Sequence, residues 1–200
     1  VPLEDWKVYL KAHTLENYAD NLSKPFVDAS FDFTKVISGQ AVQKTRGEIM
    51  ASAVDGYLGE ALGQLYVKKY FPEEAKERMQ ELVDNVQKAY AKRIEDLEWM
   101  SDSTKIKAKE KLAAITKKIG YPDNWKDYSN VSIDRDTYFE NIVSASSAAY
   151  QRNLEKLGEP VDKSEWFTTP STVTAYNNPS ANEIVFPAGI LQPPYFDNEA

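Results

Sequence analysis

The sequence predicts a mainly α fold, with several long amphipathic helices and a β-hairpin near the C-terminus. Three observations carry that expectation. Apolar residues recur at three- and four-residue steps over most of the first 165 positions. Proline and acidic residues stand where those periodic runs begin, and glycine stands where they end. Two short β-prone runs near the C-terminus are separated by turn residues. With 200 residues, 42% of them hydrophobic and 12% aromatic, the chain is long enough to bury a core.

The elements follow in order. Residues 3–21 and 23–37 read as two helices broken near Pro25, with Trp6, Tyr9, Leu10, Phe26, Phe33 and Val36 expected in the core. Residues 45–70 read as helical but carry Gly47, Gly56, Gly59 and Gly63, which weaken a helix and signal close packing or a break. Ala75, Met79, Leu82, Val86, Ala89, Tyr90, Ile94 and Leu97 then fall on one face of a long helix. Pro72 and Glu73-Glu74 mark its start, the acids complementing the positive end of the helix dipole. Ser101 is the expected N-cap of the next helix, whose apolar positions Ile106, Ala113, Thr116 and Ile119 lead to Gly120 as a stop and Pro122 beyond it. A last helix runs from Asp134 or Asp136 to Leu157, before Gly158 and Pro160. The texture changes near Trp166 to Pro170, which divides the chain into a helical part, residues 1–165, and a β-containing part, residues 166–200.

In that second part, residues 173–177 and 183–186 are the β-prone runs, joined by Asn178, Pro179, Ser180 and Ala181. Pro187 stops the second run, an apolar stretch from Ala188 to Leu191 follows, and Pro193-Pro194 precedes two large rings, Tyr195 and Phe196, suited to line a pocket. An exposed edge strand presents unpaired N–H and C=O groups to which a peptide can bond whatever its side chains. The hairpin is therefore the part of the sequence from which function can be argued.

Composition narrows the alternatives. A net charge of -7 and a pI near 4.9 argue against a nucleic-acid groove, because phosphate binding relies on Lys and Arg. No run of about 18 apolar residues reads as a membrane span, and the first ten residues lack the regions of a signal peptide. With no cysteine, disulfides and thiolate metal sites are excluded. A thermolysin-type zinc site needs two His, a carboxylate and a further Glu, whereas His13 is the one histidine here; it reads as a packed or solvated residue. No GxSxG elbow accompanies it either. Asp134, Asp136 and Glu140 lack the glycine turn and distal glutamate of a calcium loop and read as an N-capping cluster. Asn21 and Asn130 head glycosylation sequons but read as capping or turn sites, and the Lys-rich run 105–118 reads as the solvated face of a helix.

Several motifs in one order add a resemblance. TVTAYNNPSANEIVFPAGILQPPYFD, residues 172–197, is preceded by GQLYV at 63–67, WMSDSTK at 99–105 and KIGYP at 118–122. Together they resemble the neprilysin and endothelin-converting-enzyme family of zinc metallopeptidases, including bacterial oligopeptidase O, over nearly the whole chain. In that family an Asn-Ala-aromatic strand and an IxFPA(G/A)ILQ segment come just before an HExxH zinc-binding helix. No such helix occurs in this sequence, and the chain begins with Val, so a piece of a longer polypeptide is expected, with a processed whole protein as the alternative.

The resemblance implies that the hairpin belongs to a thermolysin-like catalytic subdomain and that residues 1–165 are cap or scaffold. It implies substrate binding at Thr174, Ala175 and Tyr176, where the Ala175 carbonyl accepts a substrate N–H and position 174 bears a clamping Asn in the family. Here a Thr stands instead, and its shorter hydroxyl cannot donate and accept as a carboxamide does. Ile190 and Tyr195 match positions of the apolar pocket for the residue after the scissile bond. Zinc is implied for the complete parent enzyme and none for this chain alone. The implied partners are the remaining catalytic portion and an oligopeptide cut on the amino side of hydrophobic residues. Animal relatives are extracellular and cysteine-rich, so the absence of cysteine points to a bacterial protein in the cytoplasm. Two other readings stay open: a non-catalytic helical adaptor, and one half of a nicked enzyme.

Overall fold

The computed structural model describes residues 1–199; Ala200, the last position of the expected 166–200 part, lies outside the described residues. The chain forms two compact units, each assembled from two separated stretches. Val1–Tyr57 joins Asp127–Glu159, and Leu58–Lys126 joins the stretch beginning at Pro160.

The first unit contains α1 (Leu3–Tyr18), a 3₁₀ turn (Ala19–Asn21), α2 (Lys24–Ser38), the opening of α3 (Arg46–Tyr70) and, from the second stretch, α6 (Tyr138–Glu155). Pro25 sits in the first turn of α2, where its missing N–H costs no helical bond, and Gly39 closes that helix at φ 73° with its N–H on the Lys35 carbonyl. A reciprocal cap starts α3: the Thr45 N–H donates to Glu48 Oε2 at 2.8 Å and the Glu48 N–H donates to Thr45 Oγ1 at 3.3 Å. The buried apolar set is small: Ala19, Val27, Ile142, Ala145 and Ala148. Tyr138 ties α6 to the 3₁₀ turn by donating to Asn21 Oδ1 at 2.9 Å, and Tyr18 meets Phe139 edge-on at 5.5 Å.

The expected core of this unit is not buried. Trp6, Tyr9, Leu10, Phe26, Phe33 and Val36 all stay exposed, and α1 buries no residue at all. The periodicity is correct, but an apolar stripe is buried only where a second layer covers it. On α1 the rings meet one another instead, Trp6 on Tyr9 at 5.7 Å and Tyr9 on His13 at 4.3 Å. The last helix also begins later than expected, at Tyr138, because Asp134 is held in a loop: its N–H donates to Asn141 Oδ1 at 2.8 Å and its carbonyl accepts from Asn141 Nδ2 at 2.6 Å.

The second unit contains the rest of α3, then α4 (Glu73–Glu95), α5 (Asp102–Ala113), β1 (Thr116–Gly120), β2 (Tyr176–Asn178) and β3 (Glu183–Pro187). Leu58 breaks α3 with φ -127° and ψ 30°, one residue before the buried Gly59. Gly63 marks close packing, since a Cβ there would stand 2.7 Å from Pro170 Cδ. Both outcomes foreseen for that glycine-rich helix occur. At the other end of the stretch, Lys126 secures the unit to α3 through Glu60, with Nζ 2.9 Å from Oε1 and its own N–H on Oε2 at 2.8 Å.

The strands form one sheet in the order β1-β3-β2, with β1 parallel and β2 antiparallel to β3. This corrects the reading of Thr116 and Ile119 as helical. α5 begins as expected, with Ser101 Oγ accepting from the Thr104 N–H at 3.3 Å, but it ends at Ala113. Thr116 then donates its N–H to the Asn182 carbonyl at 3.0 Å and opens the ladder, a conformation that suits the β-branched Ile115, Thr116 and Ile119. Gly120 does end its element, at φ 77°, and the element is a strand; a Cβ there would meet the Phe71 ring at 2.5 Å.

The core of this unit joins α4 to the sheet: Phe71, Ala75, Met79, Val83, Ile119, Ala188 and Leu191. The buried row on α4 therefore steps by four, through Ala75, Met79 and Val83, while Leu82, Val86, Ala89 and Tyr90 of the expected face are exposed. Beyond Val83 the contacts made by α4 turn polar. Gln87 donates to the Leu112 carbonyl at 2.6 Å, and Lys117 of β1 bonds both Asp84 and Gln87.

Candidate functional site

β2 is one of the two outer strands, β1 being the other, and pairs with β3 in the register Tyr176↔Val185, Asn177↔Ile184 and Asn178↔Glu183. It is shorter than the expected run 173–177. The chain bends just upstream, where the Thr174 N–H donates to the Thr172 carbonyl at 3.1 Å, and Thr169 Oγ1 lies 2.8 Å from Thr172 Oγ1. Thr174 and Ala175 thus lead into the strand, outside its ladder. Side chains alternate through this stretch as a pleat requires: Val173, Ala175 and Asn177 are exposed, and Thr174, Tyr176 and Asn178 are half-buried.

The alternation separates the candidate residues by role. Ala175 faces outward and offers only backbone and a methyl group. Thr174 and Tyr176 face the other way. The Tyr176 hydroxyl accepts from the Phe167 N–H at 3.3 Å, so its ring braces the loop before the strand. Burial raises the Tyr176 phenol above its ordinary value; the Phe167 N–H opposes that shift and the Glu183 carboxylate adds to it.

After β3 the backbone turns sharply. Gly189 donates to the Pro170 carbonyl at 2.8 Å and passes so close to the preceding loop that a Cβ would meet the Ser171 carbonyl oxygen at 2.5 Å. Ile190 is half-buried against the core of the unit, in company with Phe186 and Phe196. Tyr195 is 74% exposed, its N–H on the Gln192 carbonyl at 2.9 Å. The two expected pocket residues therefore differ: one is packed and the other open to solvent.

Behind β2 lies a feature that sequence reasoning missed. Lys118 and Glu183 form an ion pair at 2.7 Å with side chains only 7% and 1% exposed. Lys118 Nζ also donates to the Glu165 carbonyl at 2.7 Å, and Asn178 Nδ2 donates to Glu183 Oε1 at 3.4 Å. Lys117 and Lys118 look equivalent on a helix, but in a strand they point to opposite faces. Reading Thr116–Gly120 as a strand was the signal that would have singled out Lys118.

A thermolysin-type zinc site takes two His, and the sequence holds one. His13 lies exposed on α1, its Nδ1 3.4 Å from Glu16, and among the described residues no three His, Cys, Asp or Glu side chains are grouped to hold a metal. The residues present do not fit a catalytic zinc. Asp134 and Asp136 share a turn, with the Asp136 N–H on Asp134 Oδ1 at 2.8 Å, but neither caps the helix as expected: the N-cap of α6 is Thr137, and its side chain makes no capping bond there.

Comparison with known proteins agrees with the motif order. A family model described as Peptidase family M13 matches residues 1–122. Rabbit (Oryctolagus cuniculus) neprilysin is 36% identical over 184 residues, which is 88% of this chain and 24% of that protein. The zinc metalloprotease Zmp1 of Mycobacterium tuberculosis, solved in an open state, matches all of this chain and 31% of its own at 43% identity with a TM-score of 0.89. PepO from Lactobacillus rhamnosis matches 91% of this chain and 29% of its own at 30% identity with a TM-score of 0.81. The chain spans about a quarter of the length of the curated relatives it matches. An N-terminal family match over more than half of the residues, together with that agreement in fold, shows that the chain belongs to peptidase family M13.

Proposed function

We propose that this chain is a segment of a zinc metalloendopeptidase that hydrolyses oligopeptides on the amino side of hydrophobic residues. It supplies scaffold helices and the strand on which the peptide lies, while the zinc ligands and the general base come from the remaining catalytic portion. One observation carries the reading: in a chain of this family, the outer strand β2 has no strand on its second side among the described residues, and, unlike the other outer strand β1, it is entered directly from the outward-facing Ala175. A peptide laid along that margin gains main-chain hydrogen bonds irrespective of its sequence.

In this reading Thr174, Ala175 and Tyr176 hold the substrate, with Ala175 accepting through its carbonyl and Tyr176 contributing main chain. Ile190 and Tyr195 form part of the pocket for the residue after the cut. Residues 1–165 are cap or scaffold, and residues 166–200 open the catalytic subdomain. A bacterial source and a cytoplasmic setting belong to the same reading and rest on the absence of cysteine.

The test uses two polypeptides, this chain alone and the same chain continued through the whole remaining catalytic portion, with the HExxH helix and the carboxylate that completes the zinc ligands. Mass spectrometry of peptide digests is expected to show cleavage by the second only, abolished by a chelator, with hydrophobic residues at the new N-termini. Hydrolysis by this chain alone, or products without that preference, overturns the assignment.

A further inference from the structure

We infer that Lys118 and Glu183 are positioning residues, whose buried ion pair locks β2 at the one register in which it can receive a peptide. The inference rests on the reading of β2 as the peptide-binding edge.

The pair lies where four pieces of chain meet. Lys118 belongs to β1 and Glu183 to β3, Lys118 Nζ holds the Glu165 carbonyl of the loop before β2, and Glu183 takes bonds from β2 itself. Asn178 Nδ2 reaches the Glu183 carboxylate at 3.4 Å, and Asn177 Nδ2 donates to the Glu183 main-chain carbonyl at 2.9 Å. The loop is secured a second time by the Tyr176 hydroxyl on the Phe167 N–H.

Stability alone does not account for such a pair. Desolvating two charges costs about as much as their attraction returns, and apolar residues of equal volume often stabilise more. What an ion pair adds is intolerance of misplacement. β2 pairs over Tyr176, Asn177 and Asn178 only, a ladder too short to hold its register firmly against slippage. A slip of one residue moves the chain by about 3.4 Å and turns every side chain to the opposite face. It would take Asn178 away from Glu183, bring Ala175 inward and shift its carbonyl beyond the few tenths of an ångström that a hydrogen bond tolerates. With Lys118 Nζ holding Oε2, the register that seats Asn178 opposite Glu183 adds the Asn178 amide on Oε1.

The test is made in the full-length enzyme with three variants: Lys118→Met combined with Glu183→Gln, which is neutral and similar in volume, and each substitution alone. Melting temperature, peptide kinetics and amide hydrogen exchange over residues 174–178 are measured, the exchange with and without a slowly cleaved peptide. The wild type is expected to show peptide-induced protection there. The neutral double variant is expected to stay folded and yet lose most of that protection, with KM raised about five- to tenfold and kcat within about twofold, as for loss of a binding contact equal in ground and transition states. Should the double variant not accumulate, Glu183→Gln alone, which keeps an acceptor for Lys118, is expected to shift KM in the same direction. Full protection and wild-type KM in a folded variant overturn the inference while leaving the edge-strand reading intact. Absence of protection in the wild type overturns that reading and the inference with it.

Discussion

Gly63 of α3 lies directly against Pro170: a Cβ on Gly63 would stand 2.7 Å from Pro170 Cδ and 2.8 Å from its Cγ. Pro170 is fully buried and its ring is rigid, so the neighbour cannot yield. Gly63→Ala is expected to destabilise the fold by about 1–3 kcal/mol, as overpacking does. Gly56 is also helical but has open space around its Cα, and Gly56→Ala is expected to stabilise by about 0.5–1 kcal/mol. Urea unfolding of both variants checks the contrast, and equal effects would mean that the helix does not approach Pro170 so closely.

Thr174 is the place where this chain departs from the Asn of the resembling family. In the complete enzyme Thr174→Asn is expected to raise kcat/KM on short peptides about two- to tenfold, the worth of one hydrogen bond, mainly through KM. Position 174 is half-buried beside the outward-facing Ala175, so the same measurement also reads which way the new carboxamide turns. Unchanged kinetics in a folded variant would place residue 174 away from the peptide.

Acid sensitivity is expected at the α4–β1 contact. The Lys117 ammonium, and then Gln80, hold the Asp84 carboxyl below its ordinary value of 3.8. A carboxyl with a depressed folded value contributes stability that is present above 3.8 and is lost as pH falls from there through the folded value, the window in which the unfolded state binds more protons. Asp84→Asn is therefore expected to flatten the decline of the urea midpoint from 3.8 downwards. Parallel declines in the two proteins would show that Asp84 carries none of it.

Metal analysis of the purified chain is expected to find no stoichiometric zinc and no peptidase activity, since one exposed histidine cannot make a His-His-carboxylate site. A bound zinc with every ligand from these residues would reverse the roles proposed for this chain and the remainder.

Exposed rings make the isolated chain prone to association. Trp6, Phe33, Phe167 and Tyr195 are each half or more exposed, and Val36 and Ile37 lie open on α2. Binding of an apolar dye and concentration-dependent sedimentation are expected. A compact monomer that takes up no dye would count against a missing partner surface.

Local signals determined much of this protein without any tertiary knowledge. Ser101, Gly120 and the turn at Asn178-Pro179 act through their own backbone and nearest neighbours, so a cap, a stop and the hairpin could be placed from residue type alone. The family was equally legible, because ordered motifs such as KIGYP and NEIVFPAGILQ survive in sequence whatever their conformation. Tertiary structure decided the rest. Thr116–Gly120 carries an apolar spacing that suits a helix, and it becomes a strand because β3, more than sixty residues away, offers a parallel partner. Trp6, Phe33 and Val36 have the spacing of a core and remain exposed, because burial depends on whether another layer covers the stripe. Lys118 reads as the end of a solvated lysine-rich run and Glu183 as the opening of a β-prone run. Only the sheet, by bringing β1 beside β3, seals them together behind the edge strand, and no local pattern encodes a contact between charges so far apart in the chain.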